Sequence, residues 1–213
     1  MNAFRKLVIP LVLSVMAVAC GGSDNDGDTG DGRGPAKLGG GKQGAAKALH
    51  QANRPVRGED SGFSQRLVAM AQTDVSSERT EPGAAGGKAI VKETVKVSAT
   101  GEVRVESVIQ YVDYSEDGKN RFNGTLTDTV VVSAASGTGE VLLTSKGRVE
   151  ITGEVTDYLD ANATLKVGGS EISATTGNVS MNIRGTLTTS SGTHSYADEA
   201  INIAVEGPLP VAP

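Results

Sequence analysis

Residues 103–132, VRVESVIQYVDYSEDGKNRFNGTLTDTVVV, contain two runs in which apolar and polar side chains alternate. The turn signal Glu116-Asp117-Gly118 separates the two runs. Alternation with a period of two indicates strands with one buried face, and the short connection predicts that they pair antiparallel. The apolar positions are Val103, Val105, Ile109 and Tyr111 in the first run and Phe122, Leu126, Val130 and Val132 in the second.

The same alternation continues on both sides of this hairpin. Turn signals rich in glycine, serine, asparagine and aspartate interrupt it roughly every 10–20 residues. We therefore predict an all-β domain over residues 88–206, with about eight strands in an antiparallel meander. Because one face of each strand is apolar, the apolar faces must meet, either in a sandwich or in a rolled barrel.

The N-terminus, MNAFRKLVIPLVLSVMAVACGG, has the organisation of an export signal. A positive pair, Arg5-Lys6, precedes an apolar stretch at residues 7–18, and small residues precede Cys20. The apolar stretch is too short for a membrane span, so residues 1–19 are predicted to be a cleaved signal peptide.

The segment Ala17-Val18-Ala19-Cys20 resembles the lipobox of bacterial lipoproteins, a family that usually has leucine where this chain has Ala17. The resemblance implies that the thiol of Cys20 receives a diacylglycerol and that N-terminal acyl chains hold the protein on a membrane. Each buried CH₂ adds about 0.8 kcal/mol, so two or three chains anchor far better than one. Gly21 stands where an aspartate commonly signals inner-membrane retention, so the resemblance implies a lipid-anchored, outer-membrane location in the cell envelope.

Residues 20–42 are predicted to be the acylated cysteine and a flexible Gly/Asp-rich tether, because they have little to bury. The spacing of the aspartates at 24, 26 and 28 is that of a calcium loop. Thr29 and Pro35, however, stand where that loop requires a glycine and an acid, so we expect a plain linker.

Residues 43–87 are predicted to be a helical and linker segment in front of the β domain. Residues 43–53 and 62–73 have helical composition, and in the second stretch apolar residues recur at three- and four-residue steps. Residues 207–213 are predicted to be a proline-rich tail. The fold prediction is thus a flexible linker with one or two short helices, followed by the β domain.

Charge and cysteine content narrow the classes of partner. The chain has 20 basic and 25 acidic residues, a net charge of −5. Loss of Arg5 and Lys6 with the signal would leave 18 basic against 25 acidic residues, or −7. An acidic chain without a basic cluster argues against nucleic acid. Cys20 is the only cysteine, so no intramolecular disulfide forms and the domain must rely on its core.

The residue types that usually carry catalysis are sparse. The two histidines, His50 and His194, are isolated in polar segments and are expected to be solvated surface residues. We see no catalytic or metal-binding motif, and therefore expect no metal, no cofactor and no enzyme activity. Two acidic groups are expected to belong to turns and not to a catalytic cleft: Asp113, Glu116 and Asp117, and Asp157 with Asp160.

Basic side chains recur on the polar faces of the predicted strands. They could form a polar binding surface, or they could simply solvate the sheet and suppress edge pairing. These basic residues are Lys92, Lys96, Arg104, Lys146, Arg148 and Arg184.

The sequence therefore predicts a non-enzymatic, outer-membrane-anchored lipoprotein that is a structural or binding module of the cell envelope. Besides the membrane, its partner would be an envelope protein, a glycan or a lipid. The alternative is a carrier that encloses a lipid or other apolar ligand in a rolled sheet, loosely analogous to lipoprotein carriers with an open barrel. The carrier predicts an apolar cavity, the structural module predicts a filled core, and an envelope hydrolase, a third class, predicts convergent polar residues in a pocket.

Overall fold

The computed structural model describes residues 35–57, 75–99, 102–132, 140–168 and 177–212. The predicted signal peptide, Cys20 and the three aspartates of the tether lie outside the described residues. The second predicted helix, at residues 62–73, also lies outside them. The described residues comprise a short helical segment followed by a β-sheet, which is the predicted order.

The helical segment consists of α1, Gly41–Ala52, and one further turn, α2, Arg54–Arg57. Alanine, which has the highest helix propensity of all residues, recurs along α1. Gly40 has a left-handed φ of 75° just before the helix, and no side chain caps the helix there. The buried residues of α1 include Ala45, Leu49 and Ala52, so this helix is part of the core. The predicted short helix before the sheet is therefore confirmed.

Eight strands form one sheet, in which each strand is hydrogen-bonded to the strands that precede and follow it in the chain. Every pair is antiparallel, so the predicted antiparallel meander of about eight strands is confirmed. The strands are β1 Val75–Pro82, β2 Gly86–Val97, β3 Val103–Ser115, β4 Asn120–Val132, β5 Glu140–Gly153, β6 Asp157–Gly168, β7 Asn178–Thr189 and β8 Gly192–Ala204.

The sheet begins at Val75, whereas the alternating pattern predicts that it begins at residue 88. β1 is an edge strand, and it places Ser77 and Arg79 opposite residues of the buried face of β2. A strand with polar residues at its inward positions leaves no apolar period of two, so the sequence pattern does not reveal it. Charged side chains and Pro82 also protect this edge from pairing with other strands.

The sheet is not closed into a barrel, because β1 and β8 are not paired with each other. Within the described residues all eight strands belong to one sheet, and it is the helical segment that packs against the apolar face. Inward side chains of β2 to β8 join those of α1 and α2 in one buried cluster. The core therefore lies between the helical segment and this side of the sheet, which we call the inner face.

The sheet must curve around the helical segment. Arg79 of β1 donates a hydrogen bond to the carbonyl oxygen of Pro55 at 2.7 Å, and Tyr196 of β8 donates one to that of Lys42 at 2.7 Å. Lys42 and Pro55 are about 20 Å apart along a helical path, whereas eight strands laid flat would span about 34 Å. Both sheet edges contact the same short segment, so the sheet is curled with its inner face concave.

Glycines inside two neighbouring strands allow part of this curvature. Gly124 in β4 has a φ of 121° and Gly147 in β5 a φ of 127°, which residues with a side chain rarely adopt. A Cβ atom on Gly147 would lie 2.5 Å from the carbonyl oxygen of Thr125. Glycine kinks in strand interiors bend a sheet, so both positions serve the concave shape.

Segments from both ends of the described chain close one end of the sheet. Ala36 forms a parallel bridge with Val155, and Leu38 forms an antiparallel bridge with Val211. Residues 36–42 and 208–212 thus belong to the folded unit, although composition predicts a tether through residue 42 and a tail from residue 207. Composition is uninformative here because single backbone bridges need no apolar periodicity. We call this region the terminal clamp.

Gly147→Ala should lower the free energy of unfolding by about 3 kcal/mol, because it combines an unfavourable φ with a steric clash. Gly86→Ala is the matched control, since Gly86 has a φ of 126° but open space around its Cβ position. We expect this control to cost about 1 kcal/mol, from backbone strain alone. Urea unfolding measures both values, and equal losses would contradict the role of close packing at Gly147.

Candidate functional site

His50 is buried, which corrects the surface position predicted for it. The residue is 6% exposed, because α1 is covered by the sheet on one side and by the C-terminal segment on another. On that second side Lys47 donates to the carbonyl oxygen of Glu206 at 2.8 Å. His194 lies opposite Leu187 in β8 and is half-buried. Among the described residues, no group of three or more His, Cys, Asp or Glu side chains could hold a metal ion.

Asp113 and Asp117 of the acidic group serve local structure, whereas Glu116 forms an ion pair with Arg54 of α2 at 2.9 Å. The carboxylate of Asp117 accepts hydrogen bonds from the backbone N–H groups of Lys119 and Asn120, both at 2.8 Å, as aspartates in tight turns do. Asp113 has a φ of 50° at a β-bulge and is bonded to the side chain of Asn123. These contacts hold the hairpin between β3 and β4.

Asp157 joins three segments at the terminal clamp. Its buried carboxylate accepts the backbone N–H groups of Leu38 at 3.0 Å, Tyr158 at 2.7 Å and Ser190 at 2.8 Å. It also accepts the hydroxyl of Ser190 at 2.8 Å. Burial acts to raise the pKa of Asp157, but these hydrogen bonds outweigh it and hold that pKa below its ordinary value. Asp157 is therefore a structural carboxylate that stays ionised at neutral pH.

A row of polar side chains crosses the inner face beneath the helical segment. Glu93, Ser107, Asp128 and Ser145 come from four consecutive strands, and each is the register partner of the next. All four are buried, although valine, leucine or isoleucine stands two residues away in the same strand. We call these four residues the inner polar row.

The helical segment and β1 supply partners for the inner polar row. The side-chain amide of Asn53 donates to the hydroxyl oxygen of Ser145 at 2.9 Å. Arg79 forms ion pairs with Glu93 and Glu81. Although burial acts to lower it, these two carboxylates raise the pKa of Arg79, so its guanidinium stays charged. The row therefore fixes the position of the helical segment on the sheet through directional contacts.

The inner polar row is visible in the sequence as interruptions of the apolar positions, although a list of the apolar residues alone does not reveal it. Each of four alternating runs has one polar residue at a position where the period of two calls for an apolar one. These polar residues lie in separate runs, and only the register of each hairpin shows that they are neighbours. The pattern thus marks four interruptions, but tertiary pairing alone brings them together.

A shallow groove of about 210 Å³ lies between the start of α1 and the end of β8. Gly44 and Lys47 line one side of it, and Ile203 and Pro208 line another. Burial lowers the pKa of Lys47, whose amine is already bonded to a backbone carbonyl. The groove is smaller than the roughly 300 Å³ at which pockets for small organic ligands begin. It is therefore a poor candidate for such a ligand.

The six basic residues predicted on the polar faces of the strands, which we call the basic ladder, fall into two groups on the outer face of the sheet. On β2 and β3, Lys92 pairs with Glu78 at 3.3 Å, and Lys96 and Arg104 pair with Glu106 at 3.1 and 3.0 Å. On β5, Arg148 pairs with Glu150 at 2.8 Å. Lys146 and Arg184 form no ion pair with the described part of the chain. Positive charge that is not neutralised locally is therefore confined to one region of this ladder.

Lys146 and Arg184 stand at opposite corners of a polar block on three strands. Two adjacent rows of register partners make up this block, and each row runs from β5 through β6 to β7. Their side chains are exposed or half-buried and point to the outer face. We call this block the β5–β7 outer surface; its rows are Lys146, Asn162 and Thr186, and Thr144, Thr164 and Arg184.

Comparison with known proteins does not identify the chain. No protein-family model, curated protein or solved structure matches it. Within the described residues, neither helix has the length and apolar character needed to span a bilayer. The function must therefore be inferred from the residues themselves.

Asp157→Asn should lower the free energy of unfolding by about 2 kcal/mol near neutral pH, because buried donors lose a charged acceptor. The pKa of Asp157 is lowered on folding, so its stabilisation is complete above the ordinary value of 3.8 and fades as the pH falls through the folded-state pKa. Urea unfolding at about pH 7 and about pH 3 should therefore show a gap between the unfolding free energies of the wild type and the variant, and this gap should be smaller at the lower pH. Asp160→Asn, at an exposed carboxylate of the same strand, is the control. A gap that does not change with pH would contradict this account.

Ser107→Ala should leave the free energy of unfolding unchanged or raise it by about 1 kcal/mol. The reason is that the buried hydroxyl of Ser107 has no hydrogen-bond partner in the described part of the chain. Ser145→Ala makes the same chemical change but removes the acceptor of Asn53, so it should cost about 1–2 kcal/mol. Equal losses in urea unfolding would show that both hydroxyls are bonded.

Proposed function

We propose that this protein is a non-enzymatic binding module of the cell envelope, anchored to the outer membrane through acylated Cys20. The lipobox-like segment that ends at Cys20 supports the anchor. Two contacts of the inner polar row support a structural role for that face: Asn53 of the helical segment bonds to Ser145, and Arg79 pairs with Glu93. Recognition of a partner is then left to the outer face of the sheet.

The observation that carries this proposal is the filled inner face. Ala45, Leu49 and Val56 of the helical segment are at most 1% exposed and belong to the same buried cluster as the inward side chains of the sheet. A filled core is what a structural or binding module predicts. The burial of Glu93 and Asp128 on this face also argues against an apolar ligand there, because carboxyl groups make a poor lining for hydrocarbon.

The point at which the chain enters the fold suits an anchored module. Ala36 and Leu38 are held by backbone bridges in the terminal clamp, so tension from the preceding chain would be borne by hydrogen bonds. Residues 21–34 separate Cys20 from the first described residue, and even fully extended they reach no more than about 50 Å. The folded unit would therefore remain close to the membrane surface.

A carrier of an apolar ligand is the second candidate. One observation favours it: the sheet is open, and a single short helical segment covers its inner face. Most buried side chains of α1 are alanines, which fill little volume. A carrier would require the helical segment to move aside, which would break the contacts of Asn53 and Arg79. The intact contacts make the binding module the better-supported function.

Cys20→Ser should abolish acylation and release the protein from the membrane. In a Gram-negative host fed a labelled fatty acid, we expect label on the wild-type chain and none on the variant. The variant, exported behind a cleavable signal, should then be soluble in the periplasm. An unlabelled wild-type chain would refute the anchor.

Native mass spectrometry of that soluble variant tests the function itself. A polypeptide mass alone is the result expected of a binding module with a filled core. Additional mass that matches a lipid would favour the carrier instead. The two readouts separate the anchor from the role of the inner face.

A further inference from the structure

The β5–β7 outer surface combines positive charge with neutral hydrogen-bonding groups. Lys146 and Arg184 are exposed, and four threonine or asparagine side chains occupy the positions between them. The hydroxyls of Thr144 and Thr164 are hydrogen-bonded at 3.0 Å, so these two side chains are held in place. All six residues lie on one face of three paired strands, which gives a continuous surface and not a pocket.

The two cations are too far apart for one compact anion to sit between them easily. They are separated by two strand spacings and by two residues along the strand, or about 12 Å between Cα atoms. None of the register partners of the two cations is acidic: Lys146 lies opposite Thr127 and Asn162, and Arg184 lies opposite Thr164 and Ala197. The charge pattern therefore suits an extended ligand that carries negative groups at intervals.

The groups between the cations suit a ligand with its own hydroxyls. Thr144, Thr164 and Thr186 each offer a hydroxyl that donates and accepts, and the amide of Asn162 does both. At one corner, the guanidinium of Arg184 has the fork geometry that binds a carboxylate through two hydrogen bonds. At the other corner, Lys146 offers a flexible point charge.

We propose that the β5–β7 outer surface binds a carboxylated polysaccharide, with Arg184 and Lys146 each contacting a carboxylate and the threonines and Asn162 contacting sugar hydroxyls between them. This inference rests on the proposed binding role and names the class of its partner. The charge complementarity is local, since the chain as a whole is acidic with a net charge of −5. An acidic chain repels polyanions in general, so binding must be directed to this surface.

Two other classes of anion fit the surface less well. Nucleic acid carries a denser line of charge and is bound by clustered Lys and Arg, whereas this surface has two separated cations. Anionic lipid headgroups attract basic residues at about 1 kcal/mol each. None of the six side chains is a large apolar residue that would insert into a bilayer. Both classes become outcomes of the test.

The test uses the mature chain with Cys20→Ser and measures its binding to polygalacturonate. Dextran, oligo(dT) and vesicles of phosphatidylglycerol serve as comparison ligands. We expect binding to polygalacturonate that weakens with added salt, and no binding to neutral dextran. The double variant Lys146→Gln/Arg184→Gln should weaken binding by about tenfold.

Lys96→Gln/Arg104→Gln is the matched control, because it removes the same charge from paired residues of the outer face. It should change the affinity by less than about twofold. Absence of polygalacturonate binding, or equal weakening by both variants, would overturn the proposal. Equal or tighter binding to oligo(dT) or to the vesicles would overturn it in favour of nucleic acid or membrane. Acylation of Cys20 is scored separately, so failure here is distinguishable from failure of the envelope anchor.

Discussion

The structure depends on one constraint: the open sheet must curl far enough for its first and last strands to contact the same short helical segment. Arg79 of β1 and Tyr196 of β8 bond to backbone carbonyls near the two ends of that segment. An isolated sheet of this size would leave one apolar face in water, and α1 alone is too short to be stable. Each element therefore supplies the surface that the other must bury.

Burial of the inner polar row is costly in itself, because polar groups lose hydration that apolar side chains do not need. The row is tolerated because most of its members have partners, such as Asn53 for Ser145 and Arg79 for Glu93. Apolar contacts alone would let an alanine-rich helix slide over a smooth surface. A directional hydrogen bond such as that from Asn53 to Ser145 favours one position for it, a role that buried polar groups have in some proteins.

The two faces of the sheet thus have different tasks. The inner face is occupied by the protein's own helix and polar partners, and the terminal clamp ties the chain to one end of the sheet. On the outer face, most basic residues of β2 and β3 are paired with neighbouring carboxylates, as expected of a solvated sheet. The β5–β7 outer surface departs from that pattern, and this departure is what makes it the candidate for recognition.

The sequence by itself determined the all-β class, the antiparallel order and the short helix before the sheet, because these follow from local periodicity and turn composition. The tertiary structure alone decided what covers the apolar face, since a period of two predicts that one face is buried but not which element packs against it. It also decided that His50 is buried, that β1 belongs to the sheet, and that Glu93, Ser107, Asp128 and Ser145 form a row. These features depend on register and on contacts between distant segments, and local residue patterns carry no record of either.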